Sequence, residues 1–423
     1  MGKTFAYKYG SIGLLALLLT LPLAMIEQLV AERSGYREQV RSDIARSWTG
    51  AQQLVGPVLV VPYTRAVPEQ VWDEKLDAYR TETREHAGRL HILPERLRIG
   101  GSAETEVRSR GLYGVPVYQA ALELEGRFDN RPLLDLLQSA EHPIALGRPF
   151  VSVLVSDIRG LVTQPRLRWG EGESLFEPGS GFAKAPSGMR ALVPALESDV
   201  PAAYPFRLAL DLRGMERLAF APIGRENSVE LVLGWPHPSF TGRYLPSSHR
   251  IDDAGFAATW QVSAFSSNIA GDVDACGAGA CGPLLGNVFG VSLVDPVDVY
   301  RQTERAVKYG LLFVVLTFVA FFLFEVGRRL RLHPVHYLLV GPALTVFYLL
   351  LLSLSEHLAF AVAYWTASLA ATGLIGLYTG SILGHWRRGL GVMAMLLALY
   401  GLLFAILRSE DNALLMGLSL IHI

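Results

Sequence analysis

Cysteine is nearly missing, with only Cys276 and Cys281 in 423 residues. Two thiols cannot build a disulfide framework or supply the four ligands of a structural zinc site. An excess of charge of one sign is missing too. Lys and Arg number 38 against 39 Asp and Glu, a net charge of −1, which argues against a nucleic-acid partner. No Lys/Arg run is dense enough for a polybasic lipid patch. No G-x-S-x-G elbow, H-E-x-x-H pair or P-loop occurs. No catalytic, cofactor-binding or metal-binding residue is predicted, and no cofactor.

What is plentiful is apolar side chain, 51% of the residues, placed unevenly near the N-terminus and after position 308. Residues 310–326 are apolar except Thr317 and Glu325, and as a helix they reach ~26 Å against a hydrocarbon core of ~30 Å. A basic elbow follows at Arg328, Arg329 and Arg331, then a second apolar run. After Ser355-Glu356-His357 a third run continues to about Leu383. Inside lipid a helix satisfies all its own backbone groups, so the runs predict spans at about 309–327, 334–354, 357–383 and 389–407. Together they form a bundle over 308–411. A last apolar stretch, 412–423, is too short to cross and reads as the start of an incomplete span. Its ending, Leu418 to Ile423, is also what a common sequencing adapter would encode, so the true C-terminus is expected to be missing.

Residues 1–31 place Lys3 and Lys8 before an apolar stretch that no small-x-small cleavage site follows. The expectation is an uncleaved signal anchor with its N-terminus inside, a kink at Pro22 and Glu27 at the outer interface. Over 32–56, Tyr36, Val40, Ile44 and Trp48 recur every four positions with Arg and Glu between them. That spacing predicts an amphipathic juxtamembrane helix, stopped by Gly56-Pro57. It serves either as a stalk packed on the next domain or as a coupling rod.

Residues 57–307 read as one β-rich domain, with strand signals from Pro57 to Asp298, as in VLVVPY, RLHILPERLRI, VYQAALELEGRF and FAATWQVSAF. One helix is predicted over 130–139 with Pro132 in its first turn, and loops over 171–188 and 196–204. Helices do not alternate with the strands, so an antiparallel sandwich-like domain is favoured over a parallel sheet. The predicted fold class is an α-helical polytopic membrane protein with a large inserted β-rich domain. Short segments assigned to the inside carry seven basic residues, and those assigned to the outside carry only Arg408. This bias puts the β-rich domain outside. Arg33, Arg37, Arg41, Arg46, Arg301, Arg305 and Lys308 flank that domain and weigh the other way, but long translocated domains largely escape the rule.

Several stretches carry a resemblance. They include Arg46-Ser47-Trp48, Gln52, Gly56-Pro57 and Pro62-Tyr63, then Lys308-Tyr309-Gly310-Leu311-Leu312-Phe313 and Phe321 to Glu325. They continue in Leu332-His333-Pro334-Val335-His336-Tyr337 and in Phe347-Tyr348 through Ser353-Leu354-Ser355-Glu356-His357. Together these resemble the CreD family of bacterial inner-membrane, cell-envelope integrity proteins over nearly the whole chain. The resemblance implies an N-terminal anchor, a large periplasmic domain and a polytopic C-terminal region. It also implies expression under a two-component carbon-source and envelope-stress system, with links to colicin tolerance and β-lactam response. Family members complete a last span and end in a basic tail, from which this chain departs. The resemblance supplies no catalytic residues.

Other candidates are weaker. Gly277-Ala278-Gly279-Ala280-Cys281-Gly282 matches G-x-G-x-x-G, but it lies in a predicted loop without the strand and helix that aim amides at phosphate. Cys276 and Cys281 form either a disulfide, favoured in an oxidising periplasm, or two free thiols. Ser180 reads as a turn residue rather than a nucleophile. His333 and His336 read as interfacial packing rather than a metal pair. Glu325 is placed to pair with Arg328 or Arg329 along a helix. Tyr348, Tyr364, Trp365, Tyr378 and Trp386 read as including interface aromatics. Gly376, Gly380 and Gly384 fall on one helical face, inviting close helix contact within the chain or, in a homo-oligomer, with a second copy. The expected role is non-enzymatic: envelope integrity and stress adaptation through an envelope protein, lipid or glycan partner, within the lipid bilayer. The rival is a transporter or exporter of an envelope component, disfavoured because no charge is predicted at mid-membrane. A periplasmic enzyme is the weakest reading.

Overall fold

The computed structural model describes residues 10, 13–73, 77–111, 113–182, 185, 187–293, 299–327, 334–382 and 384–415; side chains at 73, 299–301, 324–327, 334–339 and 409–415 lie outside the description. The chain divides into two compact units, Val40–Asp295 and a second made of Met1–Gln39 with Pro296–Ile423.

Val40–Asp295 is built on two sheets. In spatial order the nine-stranded sheet runs Pro238–Gly242, Phe289–Leu293, Arg217–Phe220, Gln52–Asp73, Phe150–Val155, Gly188–Leu192, Glu177–Pro178. Ala78–Ile92 and Ile144–Leu146 also pair with Gln52–Asp73. The eight-stranded sheet runs Ser248–Asp252, Gly255–Ser263, Glu226–Leu233, Arg96–Arg110, Tyr113–Asp129, Ala203–Met215, Arg166–Trp169, Gly172–Leu175. Both sheets are mixed. Gln52–Asp73 runs parallel to Arg217–Phe220, and Arg96–Arg110 parallel to Glu226–Leu233, while the other pairings are antiparallel.

Alternation explains the eight-stranded sheet. Along Tyr113–Asp129, Leu122, Leu124 and Phe128 are buried while Glu123 is exposed, the period of two that gives a strand one dry face. Phe150–Val155 is buried at every position, as a strand covered on both faces must be. One core joins the sheets, with Leu59 and Val151 from one and Leu122 and Leu231 from the other. Each such fully buried side chain contributes ~1.5–3 kcal/mol through apolar transfer.

Several boundaries differ from those predicted. The helix expected over 32–56 is the end of one helix, Thr20–Ser47, and the sheet begins at Gln52. Gly56-Pro57 does not stop a helix. It is a cis peptide inside Gln52–Asp73, where the register against Phe150–Val155 shifts between Val55 and Val58. Pro57 offers no ladder N–H and suits such a bulge, and Gly56 there has φ +136°. The alternation over 89–99 is split at Pro94, whose two sides join different sheets. The loop expected over 171–188 carries the short strands Gly172–Leu175 and Glu177–Pro178, and Ile269–Gly277 and Gly282–Gly286 are short helices. The helix at Arg131–Gln138 matches its prediction, with proline in the first turn.

The second unit holds the start of Thr20–Ser47 and the helices Val299–Lys308, Gly310–Gly327, Pro334–Ser355, Phe360–Ile382 and Trp386–Leu415. Among the described residues three helices, Gly13–Ser47, Phe360–Ile382 and Trp386–Arg408, are long and apolar enough to cross a membrane. Gln302–Lys308 with Gly310–Leu323, bent by 51°, would make a fourth. Five were expected. The difference lies at Val340–Ser355, which is short over its described side chains. Trp386–Leu415 also runs through the turn expected after Arg408.

Aromatic rings fill this unit. Tyr400 sits 4.4 Å from Phe313 and 4.6 Å from Phe347, ring centre to ring centre. Tyr348 and Tyr364 belong to this cluster and are fully buried, so they are not interface aromatics, whereas Trp386 is exposed. Gly376 and Gly380 lie against Gly389 of the neighbouring helix, so the close approach is used within one chain. Gly384 is past the helix end with φ +64°, so the three glycines do not share one face.

Candidate functional site at the helix-to-sheet junction

The last turn of Thr20–Ser47 leaves carbonyls with no partner in the helix. Arg159 meets them, Nη1 donating to the Arg46 carbonyl at 2.9 Å and Nη2 to that of Ala45 at 3.4 Å. A guanidinium at this end also faces the negative pole of the helix dipole. Asp157 aims it through two bonds, from Nε to Oδ1 at 2.9 Å and from Nη2 to Oδ2 at 2.6 Å. Such a two-pronged pair fixes geometry as well as charge. The backbone N–H groups of Arg159 and Gly50 donate to the same carboxylate. The Arg159 side chain, then these amides, hold the Asp157 carboxyl below the usual range against the opposing effect of partial burial.

Gln52 joins the sheets beneath this clamp. Its Nε2 donates to the carbonyls of Asp157 at 3.0 Å and Arg213 at 2.9 Å, and its Oε1 accepts from the Asp157 N–H at 3.3 Å. Gly160 stands over it, where a Cβ would collide with Gln52 Nε2 and the Arg213 carbonyl. Two guanidiniums lie over the Trp48 ring, Arg108 at 3.6 Å and Arg213 at 4.6 Å from its centre. Cation–π contacts of this kind contribute ~0.5–2 kcal/mol each, according to desolvation. Arg110 pairs with Asp43 at 3.0 Å, and Arg41 pairs with Glu216. Most of these groups direct their hydrogen bonds at one another, while among the described residues Trp48 Nε1 and Thr49 Oγ1 are buried without a partner. The arrangement holds a helix end; it does not present a reacting atom.

Trp48 and Gln52 stand in the stretch that carried the family resemblance. Asp157, Arg159, Gly160 and Arg213 were not predicted. The local signal for them was an Asp two residues before an Arg at a turn, with Asp157 N-capping Ile158–Gly160.

The other candidates fall elsewhere. Ser180 is buried, its Oγ accepting from the Phe182 N–H at 3.2 Å and its carbonyl accepting from Ser152 Oγ at 2.6 Å. Cys276 and Cys281 form a buried disulfide. The G-x-G-x-x-G stretch lies between two short helices, not between strand and helix. Gly277 makes room for the His91 ring. That ring stacks on Phe182 at 5.2 Å and lies 3.2 Å from Asp274 through Nδ1. Burial lowers the His91 pKa, and Asp274 opposes the shift. The Glu325 pairing and the His333–His336 pair lie outside the described residues. Among the described residues no group of three or more His, Cys, Asp or Glu is placed to hold a metal.

Solved structures of an M1 zinc metallopeptidase from Deinococcus radiodurans are similar to 40% of the chain and to 38–39% of their own length. Identity there is 7–8% and the TM-score 0.19–0.20, a likeness too slight to carry an argument. The inner membrane protein CreD of Escherichia coli (strain K12) is 38% identical over 410 residues, covering 96% of this chain and 87% of that protein. The family model described as inner membrane protein CreD matches residues 4–423. With its apolar helices and that match over nearly its whole length, the chain belongs to the CreD family of inner membrane proteins.

Proposed function

We propose that this is a non-enzymatic, multi-pass inner-membrane protein whose β-rich unit stands in the periplasm and serves envelope integrity under stress by binding an envelope protein, lipid or glycan. The observation that carries the reading is Thr20–Ser47, one uninterrupted helix that leaves an apolar segment and ends in the Arg159–Asp157 clamp. The charge bias of the short segments supports the orientation. Photo-crosslinking from exposed Thr81 and Arg250 in whole cells tests it. Capture of a defined envelope component is expected, and capture of cytosolic proteins alone would count against it.

One observation favours transport as a second reading. The Tyr348 and Tyr400 hydroxyls and Thr317 Oγ1 are buried among the helices with no hydrogen-bond partner among the described residues. Unsatisfied polar groups in such a core are costly and can line a path. Replacing both tyrosines with phenylalanine separates the readings. Loss of function at normal protein level would favour transport, and retained function would favour binding.

A further inference from the structure

The face of the eight-stranded sheet turned away from the core bears a groove of about 540 Å³, lined by Arg96, Arg98, Arg127, Arg168 and Arg207 with Glu125. Most of the charges in and around it are matched. Glu226 meets Arg96 at 3.3 Å, Glu230 meets Arg98 at 3.4 Å, and Glu173 meets Arg166 at 3.3 Å. Arg207 is shared between Glu123 and Glu125, each at 3.2 Å. Among the described residues Arg127 and Arg168 form no ion pair; Glu173, opposite Arg168 in register, is engaged by Arg166 instead. Register also brings arginines together. Arg127 lies directly opposite Arg96 on the next strand, and Arg168 directly opposite Arg207. On the other side Arg96 faces Glu226, Arg207 faces Glu125 and Arg168 faces Glu173, whereas Arg127 faces only Pro205, so Arg127 is the one of the four with no carboxylate across either strand.

The groove is recessed between the two pairs. Gly126 itself belongs to the inner face with Leu124 and Phe128, where a Cβ would meet the buried Phe206 ring. Pro205, opposite Arg127, adds only a short ring. Strands lie ~4.8 Å apart and rise ~3.4 Å per residue, which places the two arginine pairs about 12 Å apart at the backbone. Guanidiniums grip phosphate and carboxylate with paired N–H donors.

We propose that this groove binds a chain-like polyanion bearing phosphate groups, one group bridging Arg96 and Arg127 and another bridging Arg168 and Arg207. A recessed floor suits a chain laid across the strands better than a flat bilayer surface. The binding stands on the groove alone; its place in envelope integrity rests on the reading above, and the two fail separately.

The test uses the full chain in phosphatidylcholine nanodiscs, titrated with labelled inorganic polyphosphate. The double variant Arg127→Gln/Arg168→Gln, which breaks no ion pair, is expected to weaken binding roughly tenfold or more. The charge-matched control Arg148→Gln/Arg243→Gln, outside the groove, should change it by less than about twofold. The melting temperature of the groove variant without ligand should not fall, and polyphosphate should raise that of the unaltered chain and of the control much more than that of the groove variant. Equal weakening by both variants would reduce the effect to diffuse charge and overturn the proposal. So would failure of the unaltered chain to bind polyphosphate. Binding to phosphatidylglycerol vesicles that depends on Arg127 and Arg168, without binding to polyphosphate, would reassign the groove to lipid and equally overturn it.

Discussion

An added methyl at position 160 would press on Gln52 Nε2 and the Arg213 carbonyl, which already share a hydrogen bond. Gly160→Ala is therefore expected to cost ~1–3 kcal/mol of stability. Gly100→Ala meets nothing within 4 Å and should leave the melting temperature nearly unchanged, so melting the two variants side by side checks the clamp. Titration gives two further tests. The Asp157 carboxyl, lowered chiefly by its bond from Arg159, holds its full contribution above the unfolded Asp value of ~3.9 and loses it as pH falls through the lower folded value. Asp157→Asn should flatten the acid limb of the stability curve and leave its shape near neutral pH unchanged. His91 is lowered first by burial, so the unfolded chain takes up its proton before the folded one. Stability present above ~6.5 should fall as pH drops from there toward the folded value, and His91→Gln should shrink that fall. Melting curves between pH 7 and pH 5 read it directly.

Among the helices, two tyrosines separate a used hydroxyl from an unused one. Tyr364 donates to the Tyr400 carbonyl at 2.8 Å, whereas the Tyr400 hydroxyl is buried without a partner among the described residues. Tyr364→Phe should cost ~1 kcal/mol and Tyr400→Phe should be neutral or slightly stabilising, as denaturant titration in detergent would show. At this scale the sequence was legible where a pattern is local. Alternation in Tyr113–Asp129 and the proline at the start of Arg131–Gln138 belong to that class. Gly56-Pro57 misled because the same dipeptide that ends a helix also suits a bulge, and only the neighbouring strand decides between them. The clamp was hidden for a different reason. Gln52 reaches Asp157 across 105 positions and Arg213 across 161, and no local spacing encodes such contacts. Tyr348 and Tyr364 looked interfacial because an aromatic ring near a span end suits either the headgroup layer or a helix core.

As a molecule, the chain is a membrane protein of the CreD family that carries a large β-rich unit within its sequence between apolar helices. The proposed role depends on that unit facing the periplasm. Cysteine placed singly at Thr81, exposed on Ala78–Ile92, and at Arg387, at the start of Trp386–Leu415, would report the two sides. Spheroplasts are treated with a maleimide that cannot cross the inner membrane. The expected result is labelling of Thr81→Cys and none of Arg387→Cys until the membrane is opened. Labelling of Arg387→Cys in intact spheroplasts, with Thr81→Cys protected until lysis, would contradict the periplasmic placement and the envelope-binding role with it.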